Sequence, residues 1–234
     1  MSSTAPRASQ TRSSETAGDL QAVMFDMDGL LVDTEPLWFE VERGVMARLG
    51  GSWGAADQEQ LVGGSLDRTL DYLLARATRP VSRETVARWM VGDMVALVDS
   101  TTVTALPGAL ALVAEVAGAG VPYALVTSSE RVIMEAVVRQ LQVKFPVTVC
   151  GEDVAATKPD PAPYLLAAAR LGADPRYCAA LEDSPNGVAA AEAAGYLTVA
   201  VPNLVPIPAA AGRVVVPSLA ELSLAALHRL AAAR

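Results

Sequence analysis

Cysteine and histidine are scarce in this chain of 234 residues, which contains two cysteines and one histidine. A structural zinc site usually draws four ligands from these residue types, so the sequence excludes such a site. Cys150 and Cys178 lie in apolar runs and do not form a CxxC pair. We therefore expect both to be small buried side chains of a protein in the reducing cytoplasm.

Long apolar runs, basic clusters and the glycine motifs of nucleotide-binding proteins are also missing. No stretch reaches the roughly 18 apolar residues that a membrane-spanning helix needs, and neither GxxxxGK[ST] nor GxGxxG occurs. The formal net charge is −8, from 18 Lys and Arg against 26 Asp and Glu. These absences predict a protein with no membrane partner and no nucleic-acid partner.

The distribution of residue types divides the chain into three parts. Residues 1–18 are rich in Ser and Thr and nearly free of large apolar side chains, which predicts a disordered tail. From residue 105 onward, short β-branched runs alternate with Ala-rich helical stretches, which predicts an α/β fold with a doubly wound parallel sheet. Residues 36–104 contain only helical patterns. We therefore expect an α/β core formed by residues 19–35 and 105–234, with an all-helical domain inserted at 36–104.

Pairs of carboxylates follow two of the predicted strands. Asp26 and Asp28 end the run VMFDMDG, and the strand period of two puts them on one side, where their charges repel unless a cation lies between them. Glu182 and Asp183 follow another strand in ALEDSPNG. Ligands of open parallel sheets bind at these strand ends, and Mg²⁺ takes carboxylate oxygens and substrate phosphate as ligands. Solvated carboxylates at a strand end are the alternative for either pair alone.

Hydroxyl groups and one cation lie in two further segments. VTSS places the hydroxyls and amides of Thr127, Ser128 and Ser129 ahead of a helix, where they can hold phosphate or cap the helix. Lys158 in ATKPDP can offset the charge of a phosphoryl group or can lie in solvent. No one of these segments decides the function alone, but their order along the chain does.

The four segments DMDGLLVDT, VTSS, KPDP and EDSPNG resemble the four sequential motifs of the haloacid dehalogenase superfamily. The resemblance covers residues 20–216, and the helical insertion is similar to the small helical cap of that superfamily. Within it, FDMDGLLVDTEPLW is most similar to bacterial phosphatases that act on small sugar and polyol phosphates. The resemblance thus implies a small phosphorylated metabolite as substrate, and we expect the enzyme to be a monomer.

The same resemblance implies a Mg²⁺-dependent reaction through an aspartyl-phosphate. Asp26 would be the nucleophile, and Asp28 would act as general acid and then as general base. Thr127 would orient the phosphoryl group, while Lys158 would stabilise its charge. The residues implied for substrate binding are Ser128, Ser129 and Glu35. The residues implied for the metal site are Asp26, Asp28 (through its backbone carbonyl), Glu182 and Asp183.

A β-phosphoglucomutase-type mutase has the same core and is the alternative. That branch has a His where this chain has Trp38, and an Arg in the cap loop where this chain has Leu66, with Arg68 displaced by two positions. Both departures favour a hydrolase. Phosphoglycolate and nucleoside monophosphates also remain open as substrates. The glycines of VGGS, Gly63–Ser65, predict either a loop that enters the site or a plain turn between cap helices.

Overall fold

The structure of the chain, a computed structural model, describes residues 20–234, so the predicted tail at 1–18 lies outside the described residues. Within this part, six strands form one sheet: β1 (Ala22–Phe25), β2 (Tyr123–Val126), β3 (Val147–Val149), β4 (Cys178–Glu182), β5 (Leu197–Ala200) and β6 (Arg213–Val215). All neighbouring strands are parallel, in the order β3-β2-β1-β4-β5-β6. The predicted doubly wound parallel sheet is confirmed.

The helices that follow and connect these strands are α1 (Glu35–Arg48), α2 (Ala55–Glu59), α3 (Leu66–Arg76), α4 (Arg83–Ser100), α5 (Ala109–Gly118), α6 (Arg131–Leu141), α7 (Ala162–Leu171), α8 (Pro185–Ala193) and α9 (Leu224–Ala232). The Ala- and Leu-rich sequence at the C-terminal end predicts a final helix from about residue 219, but this helix begins at Leu224. Ser223 caps it by accepting from the Ala226 amide at 3.2 Å, and a short 3₁₀ turn precedes it. Each helix in residues 20–234 is too short or too polar to cross a lipid bilayer.

The sheet is covered on both faces because its strands are apolar on both sides. Val23 and Phe25 of β1 face a layer that includes α5, α6 and α9. Ala22 and Met24 face α7 and α8, where small alanines allow the helices to approach the sheet closely. This alternation follows from the strand period of two and leaves the sheet buried except at its edges.

Helices α1 to α4 lie within the stretch that the sequence assigns to a cap, and we refer to them as the cap helices. The two chain segments that lead into and out of them run side by side. Val32 forms a β-bridge with Ala105, and the Asp33 amide donates to the Thr104 carbonyl at 3.1 Å. Both connections to the cap helices therefore lie together, next to the carboxyl end of β1. The division into core and cap domains at residues 36–104 stays a proposal.

Candidate active site

The polar segments singled out in the sequence meet at the carboxyl ends of the three central strands. β1 lies between β2 and β4, so the residues that follow these strands are neighbours in space although far apart in sequence. Asp26, Asp28, Thr127, Lys158 and the other predicted site residues thus surround one cavity or lie directly beneath it. This is the edge at which parallel sheets bind ligands.

Lys158 lies at the centre of a buried ion-pair network. Its Nζ is 2.5 Å from Asp26 Oδ1 and 2.6 Å from Glu182 Oε1, and it donates to the Val126 carbonyl at 2.8 Å. Tyr164 donates a further hydrogen bond to Glu182. Burial lowers the pKa of Lys158, but the two carboxylates outweigh this effect and hold it above its ordinary value. The ammonium group therefore stays charged.

Asp26, Glu182 and Asp183 form a buried acidic cluster, with one carboxylate oxygen of each within 4.8 Å of the others. Glu182 Oε2 and Asp183 Oδ2 have no hydrogen-bond partner among residues 20–234. Burial raises the pKa of Asp26 and of Asp183, and repulsion between the carboxylates raises both further. Three buried acids thus share one ammonium group. A set of carboxylate oxygens that lacks positive charge and has unpartnered atoms fits a hard divalent cation.

In the turn after β1, the backbone at Gly29 closely approaches the Asp183 carboxylate of this cluster. Gly29 has a φ of 79°, in the left-handed region that favours glycine, and a Cβ at this position would overlap the Asp183 carboxylate. Asn203 donates to the Gly29 carbonyl at 3.1 Å. The glycine of DMDG is therefore required by both the turn and the close approach of a predicted metal ligand.

The Asp28 carboxylate lies in a separate hydrogen-bond network. Its Oδ1 accepts from Thr34 Oγ1 at 2.6 Å and from Trp38 Nε1 at 3.2 Å. Its Oδ2 accepts from Ser129 Oγ at 2.7 Å and from Thr127 Oγ1 at 3.2 Å. Two of these donors belong to the core and two to the segment that enters the cap helices, so Asp28 links the two regions. Its predicted metal contact, through the backbone carbonyl, stays a prediction.

Ser128 and Ser129 differ in what their side chains do. Ser129 is held through its contact with Asp28, and its amide donates to Thr127 Oγ1 at 3.0 Å. The Ser128 hydroxyl is buried and has no partner in the described part of the chain. It lines the cavity and is thus available to a ligand.

Two acidic residues of α1, Glu35 and Glu42, line the cavity on the side of the cap helices. Glu35 accepts from Gln58 Nε2 at 3.1 Å, and burial, together with repulsion from Asp28, raises its pKa to about 7. Glu42, one turn of α1 beyond Trp38, is 5 % exposed, and burial followed by repulsion from Glu35 raises its pKa to about 8. Both carboxyls line the cavity. The substrate-binding role of Glu35 stays a prediction, whereas Glu42 is not among the predicted site residues.

The loop with the VGGS sequence forms part of the cavity wall and contacts the core. Asn186 Nδ2 donates to the Val62 carbonyl at 3.3 Å. Gly63 has a φ of 64°, and a Cβ on it would overlap the Ser184 side chain. Of the two predicted possibilities, a loop that enters the site agrees with these contacts.

Thr34 and Glu42 are among the residues of this site that sequence reasoning missed, as are Gln58 and Tyr164. For Thr34 the signal is its place in the segment DMDGLLVDT, six residues after Asp28. For Glu42 the signal is helical periodicity, because positions 38, 42, 45 and 46 fall on one stripe of α1 that is otherwise apolar.

Comparison with known proteins agrees with this geometry. The family model described as haloacid dehalogenase-like hydrolase matches residues 20–195. Hexitol phosphatase B of Escherichia coli K12 is 35 % identical over 191 residues, which are 80 % of this chain and 86 % of that protein. A probable pseudouridine-5'-phosphatase of Drosophila melanogaster is 34 % identical over 77 % of this chain and 80 % of its own. The crystal structure of CbbY from Rhodobacter sphaeroides in complex with phosphate superposes with a TM-score of 0.82 at 30 % identity, over 89 % of this chain and 99 % of that one.

Proposed function

The chain belongs to the haloacid dehalogenase-like hydrolases, and from this membership we propose that it is a magnesium-dependent phosphatase of a small sugar or polyol phosphate. The observation that carries the proposal is the buried contact of Lys158 with Asp26, beside an acidic cluster with unpartnered oxygens. The relatives named for hexitol and pseudouridine phosphates support a phosphorylated polyhydroxy compound as the substrate.

Asp26 is the nucleophile in this proposal. Its carboxylate attacks phosphorus while the bond from phosphorus to the alcohol oxygen breaks, which leaves an aspartyl-phosphate on Asp26. Asp28 gives a proton to the leaving oxygen. It then takes a proton from the water molecule that attacks the aspartyl-phosphate, so that phosphate is released and Asp26 is regenerated.

Contacts to Asp28 would connect this proton transfer to the position of the cap helices. Thr34 and Trp38 belong to the linker and to α1, whereas Thr127 and Ser129 belong to the core. A movement of the cap helices away from the core breaks some of these four hydrogen bonds. The general acid is then held in place only while the cavity is covered and water is excluded.

Asp26, Glu182 and Asp183, with the backbone carbonyl of Asp28, would hold Mg²⁺. When bound, the ion supplies the positive charge that lets an anionic carboxylate approach an anionic phosphate. Lys158 orients Asp26 through its 2.5 Å contact and balances part of the charge of the acidic cluster. The Ser128 hydroxyl, which has no partner within residues 20–234, is available to a phosphoryl oxygen.

The mutase alternative has less support than the phosphatase. Leu66 lines the cavity at the position where a mutase needs a cation for the second phosphate. Arg68 instead donates to the Gln60 carbonyl at 2.7 Å, outside the cavity lining. A second phosphate would therefore have no cation on the cap side.

Phosphate release from a panel of phosphomonoesters, with Mg²⁺ and with a chelator, tests the proposal. We expect turnover with Mg²⁺, its loss with the chelator, and a decrease of kcat by at least about a thousandfold in Asp26→Asn. Asp33→Asn is a matched control, because it makes the same change in the same segment at an exposed side chain. Near-normal activity of Asp26→Asn would refute the nucleophile. Isomerisation of β-glucose 1-phosphate without phosphate release would favour the mutase.

A further inference from the structure

The part of the cavity formed by the cap helices carries carboxyl groups without a cation. Glu35 and Glu42 of α1 line it, together with Gln58 and Thr69. Among the described residues that line the cavity, Lys158 is the one cation, and it is engaged by two carboxylates of the core. Any group of the substrate that reaches the cap side therefore meets acids that have no counter-ion.

Glu42 is the acid of this wall with an unpartnered oxygen, although Trp53 lies near enough to lower its pKa. It is 5 % exposed, and its Oε2 has no hydrogen-bond partner in residues 20–234. The apolar side chains of Leu61, Met90 and Ile133 line the same cavity. A buried carboxyl oxygen without a partner costs free energy, which a ligand that donates a hydrogen bond recovers.

The other polar groups of the wall distinguish among possible ligands. Glu35 already accepts from Gln58, so the wall offers one unpartnered carboxyl and not two. Ser65 and Thr69 line the same cavity, and a hydroxyl group can both donate and accept hydrogen bonds. This mixture of donors and acceptors matches hydroxyl groups, which also do both, better than it matches an ammonium group, which only donates.

We propose that Glu42, with Glu35 and Gln58, forms a subsite that binds the hydroxyl groups of a neutral polyhydroxylated alcohol and excludes substrates that carry a second anionic group. The inference rests on the proposed phosphatase function and narrows its substrate class. A carboxylate or a second phosphate at this end of the substrate would be desolvated against two acids with no cation nearby. Exclusion of such substrates then comes from the missing cation and, once the carboxyls are ionised, from repulsion as well.

Substrates that share a six-carbon skeleton separate the effect of an anionic group on turnover from that of an ammonium group. We would measure kcat/KM with Mg²⁺ for glucitol 6-phosphate, which is neutral at its far end, for 6-phosphogluconate, which has a carboxylate there, and for glucosamine 6-phosphate, which has an ammonium group. Fructose 6-phosphate and fructose 1,6-bisphosphate form a second pair that differs by one phosphate. We expect each neutral substrate to be preferred over its anionic partner by at least about a hundredfold.

Glu42→Gln removes the acid and keeps its size, and at pH 9, above the Glu42 pKa of about 8, we expect it to reduce the preference for glucitol 6-phosphate over 6-phosphogluconate by about tenfold or more. Glu40→Gln is the control, because Glu40 lies two residues away on the same helix with a side chain that is 52 % exposed. We expect it to leave the ratio unchanged. Circular dichroism checks that both variants are folded.

Two results would overturn the subsite. One is equal or faster turnover of 6-phosphogluconate or glucosamine 6-phosphate by the unsubstituted chain, and the other is an unchanged preference in folded Glu42→Gln. A different result would refute the proposed phosphatase function itself. If none of these esters and not even p-nitrophenyl phosphate releases phosphate with Mg²⁺, the phosphatase proposal is refuted, and the subsite is refuted with it.

Discussion

Replacing Glu42 by Gln should make the stability of the chain less dependent on pH. The Glu42 carboxyl has a pKa of about 8 in the folded chain, against an ordinary value of 4.5, because it is buried and faces Glu35. Below about pH 4.5 the group is protonated in both folded and unfolded chains. As the pH rises toward 8, the unfolded chain releases this proton more readily, so the folded state loses the corresponding stability. A Gln at this position has no proton to release.

The size of the effect follows from the difference between the two pKa values. At about 1.4 kcal/mol for each tenfold change in proton affinity, full ionisation of Glu42 costs the folded chain on the order of 5 kcal/mol. The free energy of unfolding of Glu42→Gln, minus that of the unsubstituted chain, should therefore increase by several kcal/mol between pH 5 and pH 9. A constant effect of the substitution on packing cancels in this comparison.

Urea unfolding monitored by tryptophan fluorescence measures this difference, because urea does not screen charges. The three tryptophans, Trp38, Trp53 and Trp89, all lie in the stretch that contains the cap helices, as Glu42 does. Glu40→Gln, on the exposed side of α1, should show no such change with pH. If the difference between Glu42→Gln and the unsubstituted chain is the same at pH 5 and pH 9, the buried, proton-holding state of Glu42 is refuted.

Two further substitutions test the cavity wall and the ion-pair network. Gly63→Ala should lower kcat/KM by about tenfold or more, because the added Cβ meets Ser184 when the loop packs on the core. Gly120→Ala is the control, because Gly120 has a similar φ with open space around it, and it should leave kcat/KM unchanged. Lys158→Met should abolish phosphate release. It should also lower the free energy of unfolding at pH 7 by about 3 kcal/mol, since buried carboxylates lose their cation. The same substitution at the exposed Lys144 is the control. Normal activity of either variant would contradict its assigned role.

Several features of the fold and the site are predictable because they depend on residues close together in the chain. Apolar runs of four or five residues that alternate with Ala-rich helical stretches predict a parallel sheet with helices on both faces. Polar residues at the ends of these runs, such as Asp26, Thr127 and Glu182, are then expected at one edge of the sheet. The final helix shows the limit of such reasoning, because its start depends on a cap at Ser223 that propensity alone does not locate.

Helix α1 shows what periodicity leaves undecided. Its spacing puts Glu42 on the stripe with Trp38 and Val45, but an acid on an otherwise apolar stripe can lie at the solvent edge or under a neighbouring helix. The packing of α1 against α4 decides for burial. The raised pKa of Glu42 and its place in the cavity wall follow from that packing alone.

The residue types at the ends of the strands are readable from the sequence, because strand period and turn chemistry act over a few residues. The sequence therefore pointed to Asp26, Asp28 and the later polar segments, and to a glycine after DMD. Which of them touch depends on the tertiary structure. The strand order puts β1 between β2 and β4, so the ends of these strands lie together, and the loop between β3 and α7 brings Lys158 onto Asp26, 132 residues before it in the chain. Such contacts depend on how whole strands and helices pack, which no local pattern encodes.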